Sequence, residues 1–194
     1  MTDDEESDQT DFSGAIETAR LMLLPLHAAA AAAAFTGTEF AEGVAALPGP
    51  VPDGVGEAFA IVEKPSGRTI GATAYGPMFE RPEFTEVGCW IDKSHRGLGY
   101  ATEAAQAVID QAFAGTTITM LWCVNRVMNA EARRVIEKCG FQFRETGMAR
   151  PPNAKGAVPV DRFALDRRNW LALHRWGGRP QGRHCNGETR DTAA

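Results

Sequence analysis

The stretch Arg96-Gly97-Leu98-Gly99-Tyr100-Ala101 lies between an apolar run, residues 87–91, and an alanine-rich segment of helical periodicity that begins near Ala101. Two glycines let a backbone approach a ligand with no Cβ in the way, and the unbonded N–H groups that open a helix point at whatever docks there. Aligned peptide dipoles favour negative charge at that end, so the hexapeptide reads as a cradle for a pyrophosphate. Two familiar pyrophosphate loops are excluded. A dinucleotide fingerprint needs a third glycine where Thr102 stands and an acidic residue about 20 positions on, where this chain has Leu121-Trp122-Cys123-Val124. A nucleotide-triphosphatase loop closes with Gly-Lys-Ser/Thr, and this turn closes with Gly99-Tyr100-Ala101.

Working outward, residues 101–113 place Ala101, Ala104, Ala105, Val108, Ile109 and Ala112 at intervals of three and four, one buried helix face, with Gly115 placed to stop it. Residues 117–124 return as a strand. A helix over 130–139 has Asn129 at its N-cap, Glu131 in the first turn, Lys138 in the last and Gly140 just past the end, with Ala132, Val135, Ile136 and Cys139 as its inner stripe. Residues 141–148 and 158–165 read as strands joined through Pro151-Pro152-Asn153. Upstream, residues 20–26 form a strand, 27–35 and 38–46 two short helices, and 47–56 a Pro/Gly-rich connector. Residues 58–63 and 69–75 make a hairpin across Pro65-Ser66-Gly67, and 86–91 the strand that enters the cradle. Hairpins first and helical crossovers later predict an α/β (α+β) fold, a mixed, mostly antiparallel sheet flanked by helices.

With 194 residues and 44% hydrophobic content, one well-buried domain is expected, over 15–176. The net charge of −5 is concentrated at the start, where Asp3, Asp4, Glu5, Glu6, Asp8 and Asp11 stand without a base. Setting those aside leaves 20 basic against 19 acidic residues, so the body has no basic field of the kind that binds nucleic acid. Residues 1–14 read as a disordered acidic tail and 177–194 as a Gly/Arg/Pro/Thr-rich one. Cys89, Cys123, Cys139 and Cys185 have neither the paired spacing nor the histidines of a metal site, and the first three fit core positions, so neither zinc nor a disulfide framework is expected. The longest apolar run, 28–35, is too short to cross a bilayer, and the acidic start is unlike a secretory leader. A cytoplasmic protein follows.

The pattern Arg/Gln-x-x-Gly-x-Gly/Ala, filled by Arg96, Gly99 and Ala101, resembles the pyrophosphate loop with which the GNAT superfamily of N-acetyltransferases holds acetyl-coenzyme A. Other segments resemble its RimJ/RimL-like branch in the same order. They are Glu17-Thr18-Ala19-Arg20-Leu21 (E-T-x-R-L), Glu86-Val87-Gly88-Cys89-Trp90-Ile91 before the loop, Tyr100-Ala101-Thr102-Glu103-Ala104 at the helix start, and Asn129 followed by Glu137-Lys138-Cys139-Gly140-Phe141. The resemblance runs from Glu17 to Trp170. It implies the GNAT fold, acetyl-CoA as co-substrate without a metal, and an amine acceptor, either a protein N-terminus or a small amine. It also implies contacts to acetyl-CoA from Arg96, Gly97, Leu98, Gly99, Tyr100, Ala101 and Thr102, from Asn129 at the pantetheine arm, and from a backbone N–H of a bulged strand near Trp90-Ile91.

The chemistry so implied makes demands of its own. An amine attacks only after losing a proton, and an α-amino group has a pKa near 8 against about 10.4 for lysine. Glu86, on the strand that leads to the cradle, is the candidate general base, directly or through a water. The side chains of Trp90, Trp122 and Phe141 read as core. One departure from the family pattern concerns the leaving thiol, because Ala132 stands where N-x-x-S offers a hydroxyl. A thiol of pKa about 8.5 leaves tolerably as the thiolate, yet the substitution also admits a non-catalytic acyl-CoA-binding or regulatory module. Acceptor identity, and the choice between monomer and homodimer, are left open by these motifs. The segments 79–83 and 151–156 are expected to rim the acceptor side.

Overall fold

The computed structural model describes residues 14–26, 47–48, 56–151, 155–177 and 183–184. The helices expected over 27–35 and 38–46, most of the 47–56 connector and residues 1–13 lie outside the described residues. The described residues build a nine-stranded sheet in the order β7-β8-β6-β5-β4-β3-β2-β1-β9. Its strands are β1 (Ile16–Glu17), β2 (Leu21–Pro25), β3 (Glu57–Glu63), β4 (Arg68–Met78), β5 (Arg81–Ile91), β6 (Met120–Arg126), β7 (Gln142–Ala149), β8 (Val158–Asp166) and β9 (Arg183–His184). Three helices accompany them, α1 (Tyr100–Gly115), α2 (Ala130–Lys138) and α3 (Arg167–Gly177). Every ladder is antiparallel except β5–β6, which is parallel because α1 carries the chain back across the sheet.

Each expected element that falls on the described residues is present, and the differences have local causes. β4 and β5 are longer than the hydrophobic runs alone suggest, because a turn at Phe79-Glu80 lets them pair from Gly71↔Ile91 to Met78↔Arg81. The segment 79–83 is therefore a hairpin tip and not an open loop. After Leu165 the chain forms α3, an element absent from the sequence reading. It is locked by Trp170, whose indole N–H donates to Asp110 at 2.7 Å and whose ring packs 5.3 Å from Phe113. Arg183-His184, within the segment expected to be a disordered tail, pairs with β1.

The core lies between α1 and one face of the sheet. Ala104, Ala105, Ala107, Val108, Ile109, Ala112 and Phe113 are buried there, and the alanines let the helix sit close to β4 and β5. Leu21, Leu23, Phe59, Ile61, Ile70, Leu121 and Phe163 complete it, each fully buried side chain contributing about 1.5–3 kcal/mol. Trp122 is a correction to the core reading. It is only half-buried and stacks on Phe84, centroids 5.0 Å apart, on the face away from α1.

The feature that positions the site is a divergence of strands. β5 and β6 pair only at Thr85↔Leu121 and Glu86↔Trp122, although β5 continues to Ile91 and β6 to Arg126. Past Glu86 each strand follows its other neighbour. β5 stays on β4 out to Ile91, and β6 stays on β8 out to Arg126. The bulge expected near Trp90-Ile91 is not found, since the β4–β5 register is unbroken from Gly71↔Ile91 to Pro77↔Thr85. The gap itself comes from the splay. The Asp92 N–H donates to the Ile70 carbonyl at 2.8 Å, so by antiparallel alternation the backbone groups of Cys89 and Ile91 face the gap.

Candidate active site

A cleft of about 1160 Å³ follows the line along which β5 and β6 part. At one end is the cradle. Asp92 caps a 3-10 turn, Lys93–His95, by accepting from the Ser94 N–H at 2.7 Å, and the chain then passes through Gly97 (φ 77) and Gly99 (φ 85) into α1. These positive φ values demand glycine. Gly99 is the N-cap and offers no side-chain bond, so no side chain caps the opening N–H groups of α1. A Cβ placed on Gly97 would meet nothing within 4 Å, which leaves open space before the loop. An uncapped helix start facing open space fits the pyrophosphate of acetyl-CoA. Arg96 stands at the edge, its Nε donating to the Ile91 carbonyl at 2.9 Å.

Across the gap is the start of α2. The Asn129 side chain accepts from the Ala132 N–H at 3.1 Å, the expected cap, and Gly140 follows the helix at φ 92. The Asn129 carbonyl in turn accepts from the buried Asn125 side chain at 3.1 Å, which ties α2 to β6. Ala132, also on the cleft wall, presents a methyl there.

Glu86 sits where the strands part. Register puts Glu86 beside Trp122 and Arg162 beside Val124, and alternation along β6 puts all four on the face away from α1. The Glu86 pKa is pushed up to about 7, because burial disfavours its charge more than the Val124 backbone N–H and the Arg162 cation favour it. Arg162 is itself buried, 5% exposed, and lies among acceptors: Glu80 and Glu145, each at 3.4 Å, and the Met148 carbonyl at 3.2 Å. Glu80 also accepts from the Arg150 N–H at 2.7 Å, which joins the Phe79-Glu80 tip to the Arg150-Pro151 segment at the cleft's rim. Cys89, Cys123 and Cys139 contribute to the cleft wall. Burial, with Cys139 nearby, pushes the Cys89 thiol up to about 12, and burial with the Glu86 charge pushes Cys123 well above the usual thiol value.

The sequence pattern of the acetyltransferase (GNAT) domain family matches residues 16–142, which contain the cradle, Glu86 and Asn129. The chain belongs to the GNAT family. Two curated relatives bear names of the same kind. The chain is 29% identical to the uncharacterized N-acetyltransferase YjdG of Bacillus subtilis over 85 residues, 44% of this chain and 51% of that protein. It is 25% identical to the uncharacterized N-acetyltransferase p20 of Bacillus licheniformis over 120 residues, 61% of this chain and 66% of that protein. The matches thus span about half to two thirds of those relatives. Among solved structures, the GNAT fold here is similar to the ribosomal-protein-S5-alanine acetyltransferase from Vibrio fischeri, with a TM-score of 0.61, 15% identity, and coverage of 80% of this chain and 98% of that one.

On this GNAT scaffold, Trp90, Ile91, Arg96, Gly97, Gly99, Tyr100, Ala101, Thr102 and Asn129 all border the one cleft that also holds Glu86. Leu98 does not. Its side chain is 55% exposed, and its carbonyl accepts from Arg20 at 2.9 Å on the side away from the cleft. The Tyr100 hydroxyl is taken by Glu63 at 2.5 Å. Phe141 is buried as expected, while Trp90 is half-buried on the cleft wall. The sequence reading passed over Asn125 and Arg162. Their signal is faint but present, a polar residue inside an otherwise apolar strand, where burial is tolerated only with partners.

Proposed function

We propose that this protein is an acetyl-CoA-dependent N-acetyltransferase that transfers the acetyl group directly to an α-amino group, that of a protein N-terminus or of a small amine. The observation that carries the reading is the splay of β5 and β6, which puts a carboxylate of pKa about 7 on one wall of a cleft whose other end is an uncapped, glycine-built helix start. Acetyl-CoA supplies an acetyl thioester to the gap. The chain's groups do the rest. The first N–H groups of α1, the α1 dipole and Arg96 hold the pyrophosphate, and Asn129 borders the pantetheine arm. The N–H groups of Cys89 and Ile91, turned toward the gap, are placed to donate to the arm and the thioester carbonyl.

Glu86 takes the proton from the incoming ammonium. An α-ammonium of pKa about 8 lies roughly one unit above Glu86, and a lysine side chain near 10.4 more than three, so proton transfer from lysine is about 3 kcal/mol less favourable. That difference favours an α-amine. Arg162 steadies the carboxylate that remains. The raised pKa values of Cys89 and Cys123 keep both as thiols at neutral pH, which disfavours a route through an acylated cysteine. No helix among the described residues is long and apolar enough to cross a membrane, and the reading places the protein in the cytoplasm.

Ala132 favours a second reading, an acyl-CoA-binding module without turnover, since its methyl stands where the family pattern has a hydroxyl. The deciding experiment follows thiol release from acetyl-CoA with a panel of peptides bearing free N-termini, the same peptides with blocked N-termini and an internal lysine, and small amines. Turnover confined to free α-amines supports the proposal. Tight acetyl-CoA binding with no thiol release from any acceptor supports the module.

A further inference from the structure

The E-T-x-R-L segment is bound to the rear of the cradle. Thr18 donates its hydroxyl to Glu103 Oε1 at 2.6 Å, the Arg20 backbone N–H donates to the same oxygen at 2.8 Å, and Arg20 Nε donates to Glu103 Oε2 at 2.8 Å. Arg20 Nη1 donates to the Leu98 carbonyl at 2.9 Å, and its guanidinium lies 4.5 Å from the centre of the Tyr100 ring. A Cβ built on Gly99 would touch Arg20 Nη2 at 3.4 Å. One arginine therefore meets three consecutive cradle residues, Leu98, Gly99 and Tyr100, and then Glu103 one turn into α1. Arg20, Thr18, Glu103 and Leu98 are all absent from the cleft wall.

This arrangement has a consequence in peptide geometry. In a planar trans peptide the C=O of one residue and the N–H of the next point in opposite directions. Holding the Leu98 carbonyl behind the loop therefore turns the Gly99 N–H forward, into the cleft. Without the hold, the Leu98–Gly99 peptide, with a glycine on its C-terminal side, is free to rotate and present a carbonyl oxygen to the anion. Glu103 is a liability of a similar kind, a negative charge in the first turn of the helix that must face a pyrophosphate. Burial works against its ionisation, but the bonds from Thr18 and Arg20 outweigh this and hold its pKa below the ordinary value, with both oxygens turned toward cations and donors.

We propose that Arg20 is a positioning residue of the cofactor site: from behind the loop it fixes the Leu98–Gly99 peptide so that the Gly99 N–H faces the pyrophosphate, and it neutralises Glu103 there. The inference rests on the acetyl-CoA reading above. Its mark is selectivity, for only ligands that carry the pyrophosphate should feel the loss.

The test measures CoA affinity by isothermal titration calorimetry and pantetheine affinity by ligand-observed NMR, for the wild type and Arg20→Ala, with thermal melts beside them. The expected result is a CoA Kd raised about 10- to 100-fold, the scale of a lost charge-assisted bond, with pantetheine affinity unchanged. If Arg20→Ala does not fold, Arg20→Lys replaces it. A single ammonium cannot bridge both Glu103 oxygens and the Leu98 carbonyl, so a smaller loss with the same selectivity is expected. A folded variant with wild-type CoA affinity overturns the clamp, and so does equal weakening toward CoA and pantetheine, which marks a role in stability alone. A wild type that fails to bind CoA removes the acetyl-CoA reading itself, and the clamp with it.

Discussion

Replacing Glu86 with glutamine tests the electrostatic argument in two independent ways. The carboxyl has an ordinary value of 4.5 in the unfolded chain and about 7 in the folded one, a difference of some 2.5 units. At 1.36 kcal/mol per unit, ionising Glu86 costs the folded state about 3 kcal/mol. Because the folded value is the higher one, the wild type carries no penalty below pH 4.5. It loses stability as pH rises from there and bears the whole penalty above pH 7. Glutamine keeps an oxygen for the Val124 N–H and cannot ionise. Urea unfolding of both proteins between pH 4.5 and pH 8.5 should therefore give curves that converge at the acid end and separate until Glu86→Gln is about 3 kcal/mol the more stable at the alkaline end. In kcat/KM the wild type should show an inflection near pH 7 together with that of the acceptor amine. The variant should lose only the first, with a rate lower by about 10²- to 10⁴-fold. A stability difference that stays flat across this range would refute the reasoning, since Glu86 would then ionise like an exposed carboxylate.

Three further outcomes follow from the geometry. Asn129→Ala removes the oxygen that accepts the Ala132 N–H and should cost about 1 kcal/mol in chemical denaturation, while Asn129→Asp keeps the cap and most of the stability. Gly140→Ala should cost more. It forces φ 92 on a residue with a Cβ, about 1–2 kcal/mol, and sets that Cβ 2.6 Å from Leu173 Cδ1, so a clear fall in Tm is expected. Cys89 and Cys123 should resist iodoacetamide at pH 8 in the folded protein and react fully in urea, as mass spectrometry of the digested protein will show.

Local grammar was legible and long-range pairing was not. α2 could be bounded from its letters because Asn129 and Gly140 act on backbone groups a few residues away. The cradle could be found because it is one contiguous turn whose glycines have a local reason. Trp122 misled, since an aromatic in an apolar run looks the same whether the strand's second face is covered or open. α3 escaped notice because its anchor, the Trp170–Asp110 bond, joins residues 60 apart. A bulge near Trp90-Ile91 was expected, by resemblance, to supply a backbone N–H; the strand is regular there, and the Cys89 and Ile91 N–H groups face the gap through ordinary β4–β5 alternation.

The amino-acid order by itself determined the cradle, the capped helix at Asn129 and the carboxylate on the strand into the loop, each of which depends on residues within a turn or two of one another, and the family through the order of such segments along the chain. Only the tertiary structure decided that β6 leaves β5 after Glu86 to follow β8. From that single divergence comes the gap between the strands, into which the β4–β5 register turns the Cys89 and Ile91 N–H groups, while the packing around Glu86 lifts its pKa toward neutrality beside Arg162. Each depends on which strands compete for a neighbour and on how much water their packing excludes, quantities set by contacts between residues that the sequence holds far apart.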